Sequence, residues 1–122
     1  MKQTLLQSIR KAYAEKQGLS YSLNLIDFPS YGYMVSLYGR EKRVQPECRL
    51  ELELTAQAYI KRRSVDLSSP ENFFGLWAID EGKTFVLDVS VHFADKDEAI
   101  AFGRANQQEA IWDIANSESI YI

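Results

Sequence analysis

Cysteine and histidine are nearly absent from this sequence of 122 residues, which contains one of each, Cys48 and His92. A single cysteine cannot form an internal disulfide, and this fits a protein of a reducing compartment. One cysteine and one histidine also cannot supply the four ligands of a standard structural zinc site. The sequence therefore predicts neither a disulfide framework nor a metal site.

Glycine-rich loops and long apolar runs are absent as well. The six glycines are scattered at turns, and neither G-x-x-x-x-G-K-[ST] nor G-x-G-x-x-G occurs. Polar residues from Gln7 to Lys11 interrupt the apolar stretch that a signal peptide would need, and no run approaches the ~20 residues that span a bilayer. We therefore expect a cytoplasmic protein with no cofactor and no membrane contact.

The composition is that of an ordinary folded domain, with 46% hydrophobic and 25% charged residues, and the length predicts one domain over residues 1–122. The net charge of −3 is unevenly placed. Residues 1–63 carry 11 Lys/Arg and 6 Asp/Glu, a net +5, whereas residues 64–122 carry 3 and 11, a net −8. Such an asymmetry marks a binding face, unless the two halves interleave in one sheet.

Apolar spacing predicts three helices. They cover residues 2–17, about 53–66, and about 96–105. Gly18 and Asn106 stand where a left-handed residue ends a helix, and Asp95 with Glu98 has the spacing of a capping box. The alternating leucines of residues 50–54 are also compatible with a strand, so the start of the second helix remains ambiguous.

Alternating and β-branched residues predict six strands. They cover residues 21–28, 33–38, 74–79, 84–93, 109–114 and 119–122. The turn Pro29–Gly32 predicts that the first two form a hairpin. Residues 84–93 have the clearest alternation, with one face buried and the other wet or half-wet. The charged segment Arg40–Arg43 is interpreted as a loop or a strand extension.

The resulting order, α-ββ-α-ββ-α-ββ, predicts an α+β fold, because strands joined by tight turns are antiparallel. We expect an antiparallel meander with the helices packed on one face. The predicted core consists of Leu5, Ile9, Tyr59, Phe85, Leu87, Val89, Val91, Phe102 and Ile111.

Asp88, Ser90 and His92 are the three residue types of a catalytic triad, but their spacing argues against one. On a strand they form a row with steps of roughly 7 Å, and the serine rather than the histidine lies in the middle. We interpret them as a polar sheet face and predict no catalytic residue, so that the protein is not an enzyme.

Basic and aromatic residues supply the predicted partner-binding surface. Seven residues make it up: Tyr31, Tyr38, Arg40, Arg43, Lys61, Arg62 and Arg63. Exposed aromatics and arginines carry much of the binding energy at protein interfaces, so we expect a protein partner or a second copy of the chain. The alternative is a nucleic-acid-binding module that uses the basic clusters 40–43 and 61–63, although a pI near 5.2 is low for such a module.

The C-terminal part contains Asp88-Val89-Ser90 before Phe93, then Glu98-Ala99 in a helix, and Asn106-Gln107 before Ala110-Ile111-Trp112-Asp113. This pattern resembles small proteins of phages, plasmids and their hosts, in which a DVS…F strand leads to an EA…A helix and an NQ.AI.D strand. The resemblance implies a small accessory protein of a mobile element or its host, and it implies no enzymatic activity.

Overall fold

The computed structural model describes residues 4–122, in which seven antiparallel strands form one sheet and four α-helices pack against it. The strands are β1 Leu19–Tyr21, β2 Tyr33–Ser36, β3 Lys42–Val44, β4 Asn72–Ile79, β5 Thr84–Phe93, β6 Ala110–Asp113 and β7 Glu118–Tyr121. The helices are α1 Leu5–Glu15, α2 Arg49–Arg62, α3 Ser64–Leu67 and α4 Lys96–Ala105. The predicted α+β class is confirmed. The seventh strand is β3, in the charged segment, and the fourth helix is the short α3.

Strand β5 is the centre of the sheet. The order is β1-β4-β5-β2-β6-β7, and β3 pairs with the first half of β5 while β2 pairs with its second half. The hairpins β4–β5 and β6–β7 form as predicted. The predicted hairpin between residues 21–28 and 33–38 is wrong, because β1 pairs with β4, and β2 lies between β5 and β6.

The first of these predicted strands is mostly irregular, and its side chains explain why. Leu23 is 37% exposed and Leu25 is 63% exposed, so the alternation has no buried face to hold it in a sheet. Leu25 also has a positive φ of 56°, which ends extended structure. Only Leu19–Tyr21 pairs, and the segment that follows runs as a loop to Gly32.

The two halves of the sequence interleave in this sheet. Within residues 4–122, β1, β2 and β3 pair only with β4, β5 and β6. An ion pair between Arg40 and Asp66, with 3.1 Å between Nε and Oδ2, also joins the halves. The charge asymmetry along the chain is therefore not a division into two lobes.

One face of the sheet carries the core. Phe85, Leu87 and Val89 of β5 are fully buried in a cluster with side chains from α1, α2 and α3. A smaller cluster joins Val35 and Ile111 to α4. Of the nine predicted core residues, seven are buried, and the other two, Leu5 and Phe102, are half-buried.

Helix α2 begins at Arg49, so the possible strand at 50–54 is wrong. Leu52 is buried while Leu50 and Leu54 are 59% and 57% exposed, and Leu52 lies on the same helix face as Ala56. The leucine alternation therefore reflects one buried position of a helix between two exposed ones.

The helix ends differ from the predictions in their left-handed residues. Helix α1 is capped by Thr4 and ends at Lys16, with φ 54°, rather than at Gly18; its predicted start at residue 2 lies outside the described residues. After α4 the left-handed residue is Gln107 rather than Asn106, whose φ is −97°. Asn106 contributes through its side chain, which accepts a hydrogen bond from the Tyr38 N–H and donates one to the Phe102 carbonyl.

Two boundaries are confirmed. Strand β5 spans Thr84–Phe93 as predicted, and the Asp95 carboxylate caps α4 by accepting from the Glu98 N–H at 3.1 Å. Among the helices that residues 4–122 form, none has the length and apolar character needed to cross a lipid bilayer.

Candidate functional site

The second face of the sheet, here called the open face, is the one turned away from the helices. Register places Gly75 opposite Asp88, Ser36 opposite Ser90, and Met34 opposite Trp112, all on this face. The buried apolar side chains of all four helices belong to the clusters on the other face. Within residues 4–122 the open face is therefore not covered by a helix.

The loop 22–32 covers one part of the open face. The ring of Phe28 stands edge-on against Phe73 of β4, with 5.5 Å between the ring centroids. Apolar side chains of this loop remain in solvent, since Leu25 is 63% exposed and Ile26 48% exposed. The loop therefore adds an apolar border to the open face.

A cavity of about 840 Å³ opens on this face, a size typical of ligand sites. Short residues of six strands line it together with large apolar side chains. Its lining consists of Gly18, Leu19, Ser20, Phe28, Met34, Ser36, Gly75, Leu76, Trp77, Asp88, Ser90, Ala110, Ile111, Trp112 and Ser119. Glycine, alanine and serine at its floor leave the space that larger residues would fill.

Among the lining residues that the structure describes, Asp88 is the only ionisable one, and it is 2% exposed. The Ser36 hydroxyl donates to its Oδ2 at 2.5 Å, and the Ser90 hydroxyl lies 3.2 Å from the same oxygen. Its other oxygen, Oδ1, lies above Gly75, where a Cβ would collide with it. Glycine at position 75 therefore keeps the carboxylate uncovered by its neighbour on β4.

Burial raises the pKa of the Asp88 carboxyl to about 6, although the hydrogen bonds from Ser36 and Ser90 favour its charged form. The negative charge of Glu41 raises it further. None of the ion pairs that residues 4–122 form involves Asp88. The floor of the cavity thus holds a carboxylate that has hydroxyl donors and lacks a cation.

His92 shares the open face with Asp88 and Ser90 but is engaged elsewhere. Its Nε2 lies 2.8 Å from the carbonyl oxygen of Tyr31, and its ring meets the Tyr31 ring edge-on at 5.8 Å. The serine hydroxyl between them is directed to Asp88. The row therefore has the arrangement of a polar sheet face, as the spacing predicts.

The predicted partner-binding residues fall into two places. Tyr31, 60% exposed, lies beside His92 at one end of the open face. Tyr38, 56% exposed, lies near Arg40, which donates to the Tyr38 carbonyl at 2.7 Å. Arg40 is also paired with Asp66, and this hydrogen bond raises its pKa. Arg40 thus links two segments of the fold in addition to lying at the surface.

The two basic clusters meet at Tyr59. Its hydroxyl donates to the Arg40 carbonyl at 2.6 Å, and the Arg63 guanidinium lies 6.0 Å from its ring centroid. Burial raises the pKa of the Tyr59 hydroxyl. Lys61 and Arg62 are exposed beside them, whereas Arg43 pairs with Glu41 at 3.2 Å. Acidic partners therefore offset part of the positive charge.

Sequence reasoning missed the residues around the cavity: Met34, Ser36, Trp77, Asp88 and Trp112. One signal was available for Asp88: it lies in the middle of a strand rich in apolar residues, and aspartate is rarely buried unless it is paired. The approach of Trp77 and Trp112 to one cavity depends on β2 inserting between β5 and β6, which local pattern does not reveal.

A metal site is not evident in the part of the chain that the structure describes, where no three His, Cys, Asp or Glu side chains cluster suitably. Comparisons with protein-family models, curated proteins and solved structures find no match to this chain.

Proposed function

We propose that the protein is a non-enzymatic binding protein that holds a protein partner against the open face of its sheet. The observation that carries this proposal is the aromatic cavity on a face with no helix over it in residues 4–122. In keeping with the resemblance of its C-terminal segment, we place it among the accessory proteins of mobile elements or their hosts.

The exposed apolar side chains around the cavity support a protein partner. Trp112 is 41% exposed and Phe28 41% exposed, and Tyr121 on the neighbouring β7 is 80% exposed. Large aromatic side chains that keep this much surface in water are typical of interfaces and of binding hot spots. A partner that covered them would bury this apolar surface, which favours association.

A random peptide library displayed on phage, panned against the immobilised protein, tests this proposal. We expect enriched peptides that bind the wild-type protein and lose binding to the Trp112→Ala variant. The matched control is Leu54→Ala, which removes an exposed apolar side chain from α2 on the helical side. Circular dichroism establishes that both variants remain folded.

The outcomes separate the open face from the surface predicted around Tyr38. Peptides that bind Trp112→Ala normally but fail to bind Tyr38→Ala would overturn the open face as the binding site. Tyr38→Ala is preferred to a change at Arg40, because Arg40 also pairs with Asp66. Size measurement of the wild-type protein over a range of concentrations tests a second copy as the partner.

The alternative function is nucleic-acid binding through clusters 40–43 and 61–63, and one observation favours it: both clusters contact Tyr59. Tyr59 itself is 4% exposed, so the aromatic side chain available beside these clusters for stacking on a single strand is Tyr38, which is 56% exposed. Binding of a labelled oligonucleotide that weakens steeply with salt, and that the double change Lys61→Ala and Arg62→Ala removes, would support it. Salt-independent or absent binding would exclude it.

A further inference from the structure

The cavity floor holds a negative charge for which the described chain supplies no positive one. Asp88 is 2% exposed, and the four ion pairs described for residues 4–122 leave it out. Buried carboxylates are as a rule paired, because removing a charge from water is costly. Its Oδ1 receives a single long contact, from the Ser90 hydroxyl at 3.4 Å. One oxygen can therefore accept further hydrogen bonds.

An aromatic wall stands next to this charge. A Cβ built on Gly75 would lie 3.5 Å from Cζ3 of Trp77 and would collide with Oδ1 of Asp88. The indole and the carboxylate therefore flank the same point above Gly75. A cation bound in the cavity on this side of Gly75 would have both the carboxylate and the indole as neighbours, and both attract it.

We propose that this cavity takes an arginine side chain of a protein partner, with its guanidinium on Asp88 and against the indole of Trp77. The inference rests on the proposed function, since it names what the partner inserts into the open face. Arginine suits the site better than lysine because its planar group stacks on aromatic rings while its N–H groups donate to the open oxygen of Asp88.

The size of the cavity argues for a polypeptide rather than a free guanidinium compound. A volume of about 840 Å³ matches a ligand much larger than one side-chain head group. Phe28, Met34 and Trp112 supply apolar surface away from Asp88. Residues next to the arginine in the partner would contact this surface.

Tryptophan fluorescence gives a direct test, because the sequence has two tryptophans and both Trp77 and Trp112 line the cavity. The probes are acetylated, amidated pentapeptides of alanine with a central arginine, lysine or citrulline. Citrulline has nearly the shape of arginine and no charge. Measurement at pH 8 keeps Asp88 ionised, since its pKa is about 6.

We expect the arginine peptide to change the fluorescence saturably and to bind at least about tenfold more tightly than the citrulline peptide, with lysine between them. N-acetylarginine amide, which lacks the flanking residues, should bind more weakly than the pentapeptide. Equal affinity of these two would overturn the assignment to a protein partner. Equal affinity of arginine and citrulline, or no saturable change with arginine, would overturn the cation site.

Asp88→Asn and Asp113→Asn form the matched pair of variants. Asp113 is a second buried carboxylate, on β6, and does not line the cavity. We expect Asp88→Asn to abolish the preference for arginine over citrulline and Asp113→Asn to retain it. The peptide comparison in the wild-type protein still decides the question if a variant fails to fold.

This experiment can fail separately from the proposed function. If Trp112→Ala removes the binding of library peptides while Asp88→Asn leaves it unchanged, the open face binds a partner and the arginine assignment is wrong. If Trp112→Ala has no effect on library peptides, the proposed function itself is wrong.

Discussion

The two faces of the sheet are built from the same strands with different side chains. On the helical face β5 contributes Phe85, Leu87 and Val89, all fully buried among apolar neighbours. On the open face the same strand contributes Asp88 and Ser90 next to a cavity. Alternation along a single strand therefore produces a packed core on one side and a polar, partly unfilled surface on the other.

This difference between the faces assigns stability mainly to the helical face and binding to the open face. Apolar burial on the helical face stabilises the fold, whereas a buried carboxylate without a cation destabilises it. A residue that costs stability and lines a cavity fits a role in binding, because function commonly retains such residues. The comparison can be tested one face at a time.

The largest effect on the free energy of unfolding is expected from truncating a buried side chain on the helical face. Phe85→Ala should lower the free energy of unfolding by about 3–5 kcal/mol, because a fully buried ring leaves a void in a packed cluster. Trp112→Ala on the open face should cost only about 1 kcal/mol, because that side chain is 41% exposed. Urea unfolding of both variants measures the contrast, and similar losses would contradict the assignment of the two faces.

In contrast to these losses, Asp88→Asn should raise the free energy of unfolding at neutral pH. The pKa of about 6 in the folded protein exceeds the ordinary value of 3.8, so the folded state holds the proton more tightly than the unfolded chain. The contribution of Asp88 to stability is therefore fully present below pH ~4, falls as pH rises to ~6, and stays low above that. We expect a gain of roughly 1–3 kcal/mol in the variant at pH 8.

The quantity to measure is the difference in unfolding free energy between the wild-type protein and Asp88→Asn at pH 4, 6 and 8. A difference that does not grow between pH 4 and 6 would show that the carboxylate is not buried as described. The control, Asp113→Asn, alters a buried carboxylate on β6 that accepts hydrogen bonds from Asn116 and does not line the cavity. It should leave the pH-dependent contribution of Asp88 in place.

The smallest effects separate two arginines of the predicted partner surface. Arg40→Ala should cost about 1 kcal/mol, because this side chain joins Asp66 and the Tyr38 carbonyl while remaining partly in solvent. Arg43→Ala should change stability by less than about 0.5 kcal/mol, because its pair with Glu41 is more than half exposed. Thermal unfolding of both variants tests this order, and equal losses would remove the structural role of Arg40.

The sequence was most informative where local signals agree. The β4–β5 hairpin, the Asp95 cap and the span of β5 were predictable, because alternation, a turn and a capping residue all lie within a few positions of one another. The pairing of β1 with β4 and of β2 with β6 was not, since these contacts join distant segments.

The candidate site was largely unpredictable for the same reason. The residue types Asp88 and Ser90 were visible as a polar row, but Ser36 reaches the same carboxylate from 52 positions away. Trp77 and Trp112 come to one cavity from different hairpins. Such a site exists only after the whole sheet has formed.

The interleaved strand order also has a consequence for how the chain folds. Strands β1, β2 and β3 emerge first during synthesis, and in residues 4–122 none of them pairs with another of the three. Their backbone groups cannot form sheet hydrogen bonds until β4 and β5 have left the ribosome. The β4–β5 hairpin is therefore the template on which the earlier segments assemble. A chain arrested near residue 63 would therefore carry helices and unpaired strands, exposed to aggregation, rather than half of a folded protein.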